Sequence, residues 1–255
     1  MVLVHGFGHG AWCWYKLVSL LRTKGPHRVT ALDLAGCGVH PKQLHQISSI
    51  SDYVQPLMDF LAALPDDEKA VLVGHSYGGI PIALAMERFP AKVSCAVFVA
   101  AYMPNSTDPP GTFMQEFFKR GAEKSFMDFE VKFDQESGKV PISASIGPEF
   151  MAAKLYERCP LEDMELGKML VRPGSLFMED LATMDKFSDE KFGSVPRVYV
   201  IAAEDKTIPP DFQRWLIENN PVKEVKEIKG ADHMPMFTQP DALCKCLLEI
   251  AEKHA

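Results

Sequence analysis

The chain has 255 residues, of which 47% are hydrophobic, and its formal net charge at pH 7 is -7. This length and apolar content suit one sizeable α/β domain with an inserted subdomain. The negative charge and the lack of a basic run exclude a nucleic-acid-binding protein, and no apolar segment approaches the roughly 18–20 residues of a membrane span.

The first predicted element is a short strand, Val2–Gly6. A sheet strand usually has about five residues, so a strand this close to the first residue leads us to expect a truncated or unusual N-terminus. No charged segment or cleavage site marks a signal peptide. Because the six cysteines are scattered and show no metal or redox spacing, we expect reduced thiols and a cytoplasmic protein.

Strands and helices then alternate along the first hundred residues. Helical periodicity marks Trp12–Lys24 and Ile50–Leu64, and the strands are His27–Leu34, a strand from Ala70, and Val93–Ala101. This alternation predicts an α/β fold with a mostly parallel, doubly wound sheet.

The alternation stops at about Met103 and resumes after Met184 with the strands Val195–Ile201 and Val222–Ile228. We therefore predict a core of residues 1–102 and 185–255 and an inserted, mainly helical cap of residues 103–184. The apolar residues of the cap either line a pocket or pack the cap together, and the sequence leaves both open: Phe113, Phe117, Phe118, Phe126, Phe129, Phe150 and Met151.

The strand from Ala70 runs into Gly74-His-Ser-Tyr-Gly78, and a helical segment follows from Ile80. This is the G-x-S-x-G pattern, in which a serine lies on a strained turn between a strand and a helix. The glycines leave room for the turn, and the N-terminus of the helix favours negative charge at the serine. We predict Ser76 as a nucleophile; a glycine-rich turn with an incidental serine is the alternative.

A serine hydroxyl needs an adjacent base, and that base needs an acid to orient it. In this kind of fold the acid follows a late strand and the histidine follows the last strand. Asp205 and His233 have these positions, with Glu204 as the rival acid and Asp232 beside the histidine. The backbone N–H groups of Tyr77 and of Phe7, in the loop after the first strand, are the predicted oxyanion donors.

Several segments resemble the plant methylesterase family of α/β-hydrolases, which includes salicylic-acid-binding protein 2, polyneuridine aldehyde esterase and the α-hydroxynitrile lyases. They cover nearly the whole chain: His5-Gly-x-x-His-Gly-Ala-Trp-Cys-Trp-Tyr15, Ala31-Leu-Asp-Leu34, Gly74-His-Ser-Tyr-Gly-Gly79, Leu84-Ala-Met-Glu87, Arg172-Pro-Gly-Ser-Leu-Phe177, Phe192-Gly-Ser-Val195, Glu204-Asp-Lys206 and Lys229-Gly-Ala-Asp-His-Met234.

The resemblance implies an α/β-hydrolase fold and a carboxylesterase that cleaves methyl esters of small plant acids or alkaloids, with no cofactor and no metal. Ser76, Asp205 and His233 match the family's triad, and Phe7 and Tyr77 match its oxyanion donors. The family's members are commonly dimers, which implies a homodimer. Candidate pocket residues are Gly6, His9, Phe126, Phe150 and Met234.

Two positions separate the esterases of this family from its lyases. The lyases carry a threonine after the histidine of the first loop and a lysine after the catalytic histidine, where this chain has Gly6 and Met234. Neither residue donates a side-chain hydrogen bond or a charge to departing cyanide, so the sequence favours an esterase. The alternatives are an α-hydroxynitrile lyase and a hormone-binding protein with residual esterase activity.

Overall fold

The computed structural model describes residues 1–121, 126–133 and 141–254, and for residues 141 and 142 only the backbone. Its first half alternates strands and helices as predicted. The elements are β1 (Val2–Val4), α1 (Tyr15–Lys24), β2 (Thr30–Leu32), α2 (Ile50–Ala62), β3 (Ala70–His75), α3 (Gly79–Arg88) and β4 (Val93–Val99).

The chain then leaves the sheet, in the segment for which the sequence predicts a cap. The elements of the cap are α4 (Thr112–Gly121), β5 (Glu130–Phe133), β6 (Pro141–Ser145), α5 (Pro148–Phe150), which continues as a π-helical turn (Met151–Leu155), α6 (Leu161–Leu170) and α7 (Met178–Thr183). The sheet resumes with β7 (Arg197–Ala202), α8 (Pro210–Asn219), β8 (Glu224–Ile228), α9 (Pro235–Thr238) and α10 (Pro240–His254).

The strands of the core pair in parallel in the order β2-β1-β3-β4-β7-β8. All six residues of β3 are buried, because helices cover both faces of the sheet, and this explains the apolar run that precedes Gly74 and His75. The connections run in opposite directions from β1 and β3, so a crevice opens at the carboxyl ends of these two neighbouring strands. The α/β-hydrolase fold predicted from the sequence is confirmed.

The cap contains a feature that the sequence did not predict. Strands β5 and β6 pair antiparallel, and Ala144 exchanges two backbone hydrogen bonds with Gly174, of 2.7 and 3.0 Å. All four residues of β5 are exposed, so this strand has no buried face to produce a regular apolar alternation. The cap is therefore helical with a small sheet.

Candidate active site

Ser76 lies on the sharp turn between β3 and α3. Its φ is +55°, a conformation that costs free energy for a residue with a side chain and that recurs at functional sites. The turn is closed too tightly for other residues: a Cβ on Gly74 would lie 2.5 Å from the carbonyl oxygen of Gly78, and a Cβ on Gly78 would lie 2.6 Å from that of Val4. The two glycines of the motif are thus required sterically.

The structure brings together the three residues of the predicted triad. His233 Nε2 is 2.9 Å from Ser76 Oγ, and His233 Nδ1 is 2.8 Å from Asp205 Oδ2. With the Nδ1 proton donated to the carboxylate, Nε2 is free to accept the proton of the hydroxyl. His233 follows β8 and Asp205 follows β7, so both reach Ser76 from the carboxyl edge of the sheet.

The Asp205 carboxylate is fixed by four donors. Its Oδ1 accepts the backbone N–H groups of Thr207 and Ile208 at 2.7 and 2.9 Å, and its Oδ2 also accepts Gln213 Nε2 at 3.2 Å. Burial raises the pKa of Asp205, while His233 and the two backbone N–H groups favour the ionised form. The carboxylate can therefore hold the imidazole in one tautomer and one orientation.

The two rival acids have other partners. The side chain of Glu204 is 46% exposed and lies 3.6 Å from the Arg158 guanidinium. The buried carboxylate of Asp232 accepts the backbone N–H groups of Met234 and Arg158, each at 2.9 Å. Asp232 therefore ties the histidine loop to the cap, and in the described residues neither acid bonds to the ring of His233.

The loop after β1 approaches Ser76 closely. A Cβ on Gly6 would lie 2.9 Å from Ser76 Cβ, so glycine permits this approach. Within the described chain, the N–H group of Phe7 donates to no backbone carbonyl, and Tyr77 follows Ser76 in the first helical turn after β3. These two N–H groups, one on each side of the nucleophile, are the predicted oxyanion donors.

Three buried histidines besides His233 surround the turn, and burial lowers the pKa of each of them: His5, His9 and His75. His9 bonds within its loop, as Nδ1–H donates to the Phe7 carbonyl at 2.8 Å, while Nε2 accepts the Tyr156 hydroxyl at 2.7 Å. A neutral imidazole uses both ring nitrogens in this way, so protonation of His9 would place a charge in a buried site and require the Tyr156 hydroxyl to turn from donor to acceptor.

This arrangement predicts an acid-labile fold. The pKa of His9 is about 4 in the folded protein against 6.5 when exposed, so between these values the unfolded state binds more protons. The stability that depends on neutral His9 is complete above pH 6.5 and is lost as the pH falls towards about 4. Urea unfolding at pH 7 and pH 5 should show lower stability at pH 5, and His9→Gln should reduce the difference. An equal difference in the variant would contradict the assignment.

A cavity of about 180 Å³ opens over Ser76. Ser76, His233, Phe7 and Tyr77 line it, and so do four of the five predicted pocket residues, Gly6, His9, Phe126 and Phe150. Several other residues that line the cavity come from distant segments and were not predicted from the sequence: Tyr102, Ile146, Lys154, Leu155, Leu176, Lys206, Thr207, Pro209, Asp211 and Phe212.

The prediction for Met234 requires correction. Met234 is fully buried, belongs to an apolar cluster of the core and is not among the residues that line the cavity. The α9 helix begins at the next residue, and the Met234 N–H donates to Asp232 Oδ1, so this position belongs to the turn that leads into that helix. Of the cap residues named above, Phe113 and Met151 also pack in the core, whereas Phe117, Phe118 and Phe129 line the cavity.

No group of three or more His, Cys, Asp or Glu side chains that could hold a metal ion occurs among the described residues. Within the same residues, no helix is long and apolar enough to cross a membrane.

Comparisons with known proteins agree with this architecture. A sequence model of the alpha/beta hydrolase family matches residues 1–245. Norfluorocurarine synthase 2 of a Strychnos species is 50% identical over 99% of this chain and 95% of the relative. Methyl jasmonate esterase 1 of Vitis vinifera is 49% identical over 100% of this chain and 97% of its own. The crystal structure of polyneuridine aldehyde esterase superposes with a TM-score of 0.93, at 46% identity over 98% of each chain. The chain belongs to the plant methylesterase family of α/β hydrolases.

Proposed function

We propose that this protein is a carboxylesterase that hydrolyses methyl esters of small apolar metabolites or hormones through Ser76, His233 and Asp205. The observation that carries the proposal is the continuous chain of hydrogen bonds from Asp205 through His233 to Ser76, beneath a cavity whose lining includes seven phenylalanines. Two of the relatives are named as esterases, one of them for methyl jasmonate.

In the acylation step, Ser76 Oγ attacks the ester carbonyl and His233 Nε2 takes the hydroxyl proton. Negative charge develops on the carbonyl oxygen and is stabilised by the N–H groups of Phe7 and Tyr77. His233 then gives its proton to the leaving alkoxide, and methanol departs. Asp205 stabilises the imidazolium that exists between these two transfers.

In the deacylation step, His233 removes a proton from a water molecule, which attacks the acyl-enzyme at the same carbonyl. The same two N–H groups stabilise the second oxyanion, and His233 returns a proton to Ser76 Oγ. The products are a carboxylic acid and methanol. All groups that this cycle needs come from the protein and from water.

The apolar wall of the cavity is the reason for proposing an ester of a small apolar acid as the substrate. Phe7, Phe126, Phe129 and Phe150 form a chain of ring contacts in which Phe7 and Phe129 are 6.1 Å apart and Phe129 and Phe150 are 5.6 Å apart. Burial of an apolar acyl group against such rings is favourable, and about 25 cal/mol is gained per Å² of apolar surface removed from water. Salicylate, jasmonate, indole-acetate and alkaloid esters all meet this requirement.

The lyase alternative lacks the groups that it needs. Departing cyanide is an anion, and Gly6 offers it no side chain, while the side chain of Met234 lies in the core. A hormone-binding protein would not require His233 and Asp205 to be aligned on Ser76. The homodimer and the cytoplasmic location stay predictions.

The test is methanol release from a panel of methyl salicylate, methyl jasmonate, methyl indole-acetate and an alkaloid methyl ester. We expect release from at least one of them, and p-nitrophenyl acetate reports separately whether the triad is competent. Turnover of p-nitrophenyl acetate without methanol release would indicate that the substrate is not a methyl ester. Binding of an ester without turnover of any substrate would instead favour a binding protein.

A further inference from the structure

The opening of the cavity is charged, in contrast to its walls. Three cationic residues line it, Arg120, Lys154 and Lys206, together with one carboxylate, that of Asp211. Arg120, Lys206 and Asp211 are exposed and Lys154 is half-buried, so these residues lie where the cavity meets solvent. We call the three cations the cationic mouth. The charge of the cationic mouth is opposite in sign to the formal net charge of the chain, which is -7.

Two residues of the cationic mouth already have partners for their charges. Arg120 Nε donates to Glu116 Oε1 at 2.8 Å, and the Arg120 guanidinium lies 4.1 Å from the centre of the Trp215 ring. The Lys206 ammonium is paired with the Glu157 carboxylate. Each of these two cations therefore already has a carboxylate partner within the protein.

Lys154 differs from both. Across the described ranges, its ammonium takes part in no ion pair and donates no hydrogen bond, although the side chain is half-buried beside the cavity. Its backbone is fixed to the triad, because its carbonyl accepts the Thr207 hydroxyl at 2.9 Å and the Thr207 N–H donates to Asp205 at 2.7 Å. The backbone of Lys154 is thus held close to the triad, and its side chain contributes to the lining of the cavity.

We propose that Lys154 binds a carboxylate at the mouth of the active-site cavity. The Lys154 side chain lines the cavity and its ammonium has no partner within the described residues, so an anionic oxygen bound there would accept a charge-assisted hydrogen bond. The inference rests on the proposed esterase function, because hydrolysis of an ester produces a carboxylate inside this cavity. The carboxylate is either that product or a second acid group of the substrate, remote from the ester.

The experiment measures binding in a Ser76→Ala background, where esters are not turned over. The probes in calorimetry are phenylacetate for the product carboxylate, monomethyl terephthalate for a remote carboxylate, and neutral dimethyl terephthalate as the reference. Lys154→Met should weaken at least one of the two anions about tenfold relative to the neutral diester, as expected for one charge-assisted hydrogen bond. Lys154→Arg keeps the charge and should lose much less.

Lys168→Met is the matched control, because Lys168 is also a lysine of the cap but pairs with Glu165 and does not line the cavity. A loss confined to phenylacetate identifies the product carboxylate, and a loss confined to monomethyl terephthalate identifies a substrate acid. Equal ratios of anion to diester affinity in Lys154→Met, Lys154→Arg and Lys168→Met would overturn the proposal. Since binding is measured without turnover, failure of the esterase proposal in the methanol assay is a separate result.

Discussion

Replacing Ser76 with alanine should lower kcat for a methyl ester by about 10⁴-fold or more, leaving only the residual acceleration that the oxyanion donors and ester binding provide. The variant lacks the oxygen that forms the acyl-enzyme, so His233 and the oxyanion donors have no nucleophile to assist. Ester binding should persist, since the walls of the cavity are unchanged. The measurement is methanol release at saturating ester, with ester affinity determined separately.

The fold should tolerate this change. Alanine removes one oxygen and adds no volume, and it meets the same backbone restriction at φ +55° as serine. A thermal unfolding midpoint close to that of the wild type should confirm this. Ser194→Ala is a suitable control, because the Ser194 hydroxyl is exposed and bonds to the Lys191 carbonyl, away from the cavity. Retention of more than about 1% of activity in Ser76→Ala would contradict nucleophilic catalysis by Ser76.

The proposed catalytic centre could be predicted from the sequence because its constraints are local. The turn at Ser76 requires Gly74 and Gly78 in fixed positions, since added Cβ atoms would collide with backbone carbonyls. The acid and the base each follow a recognisable strand, and parallel strands bring their carboxyl ends to one edge. Each condition can be checked in a short window of its own, and the structure brings the three side chains within hydrogen-bond distance.

The lining of the cavity was harder to predict from the sequence because it is assembled from distant segments. Lys154 comes from the π-helical turn of the cap, Lys206 follows β7, and Leu176 precedes α7. Nothing local distinguishes an apolar residue that lines a cavity from one that packs a core, which is why Met234 was misplaced. The small sheet of β5 and β6 was not predicted for a related reason, since an exposed four-residue strand shows little periodicity of apolar residues.

The second large effect is expected at Asp205. Asparagine at this position can still accept the N–H groups of Thr207 and Ile208 through its oxygen, so its amide nitrogen would take the place of Oδ2 and face His233. An amide N–H so placed requires Nδ1 to accept, which moves the imidazole proton to Nε2. A protonated Nε2 cannot accept the Ser76 proton, and kcat should fall by about 10³–10⁴-fold with little change in the fold.

Glu204→Gln is the matched control for Asp205→Asn, since it removes the charge of the adjacent carboxylate, which lies 3.6 Å from Arg158 and makes no bond to His233. We expect this variant to keep methanol release within about twofold of the wild type, because a partly exposed ion pair contributes little. The reverse pattern, a large loss in Glu204→Gln and a small one in Asp205→Asn, would transfer the orienting role to Glu204. Comparable losses in both variants would mean that the loop after β7 acts through its total charge, and that the single hydrogen bond to His233 does not control the tautomer.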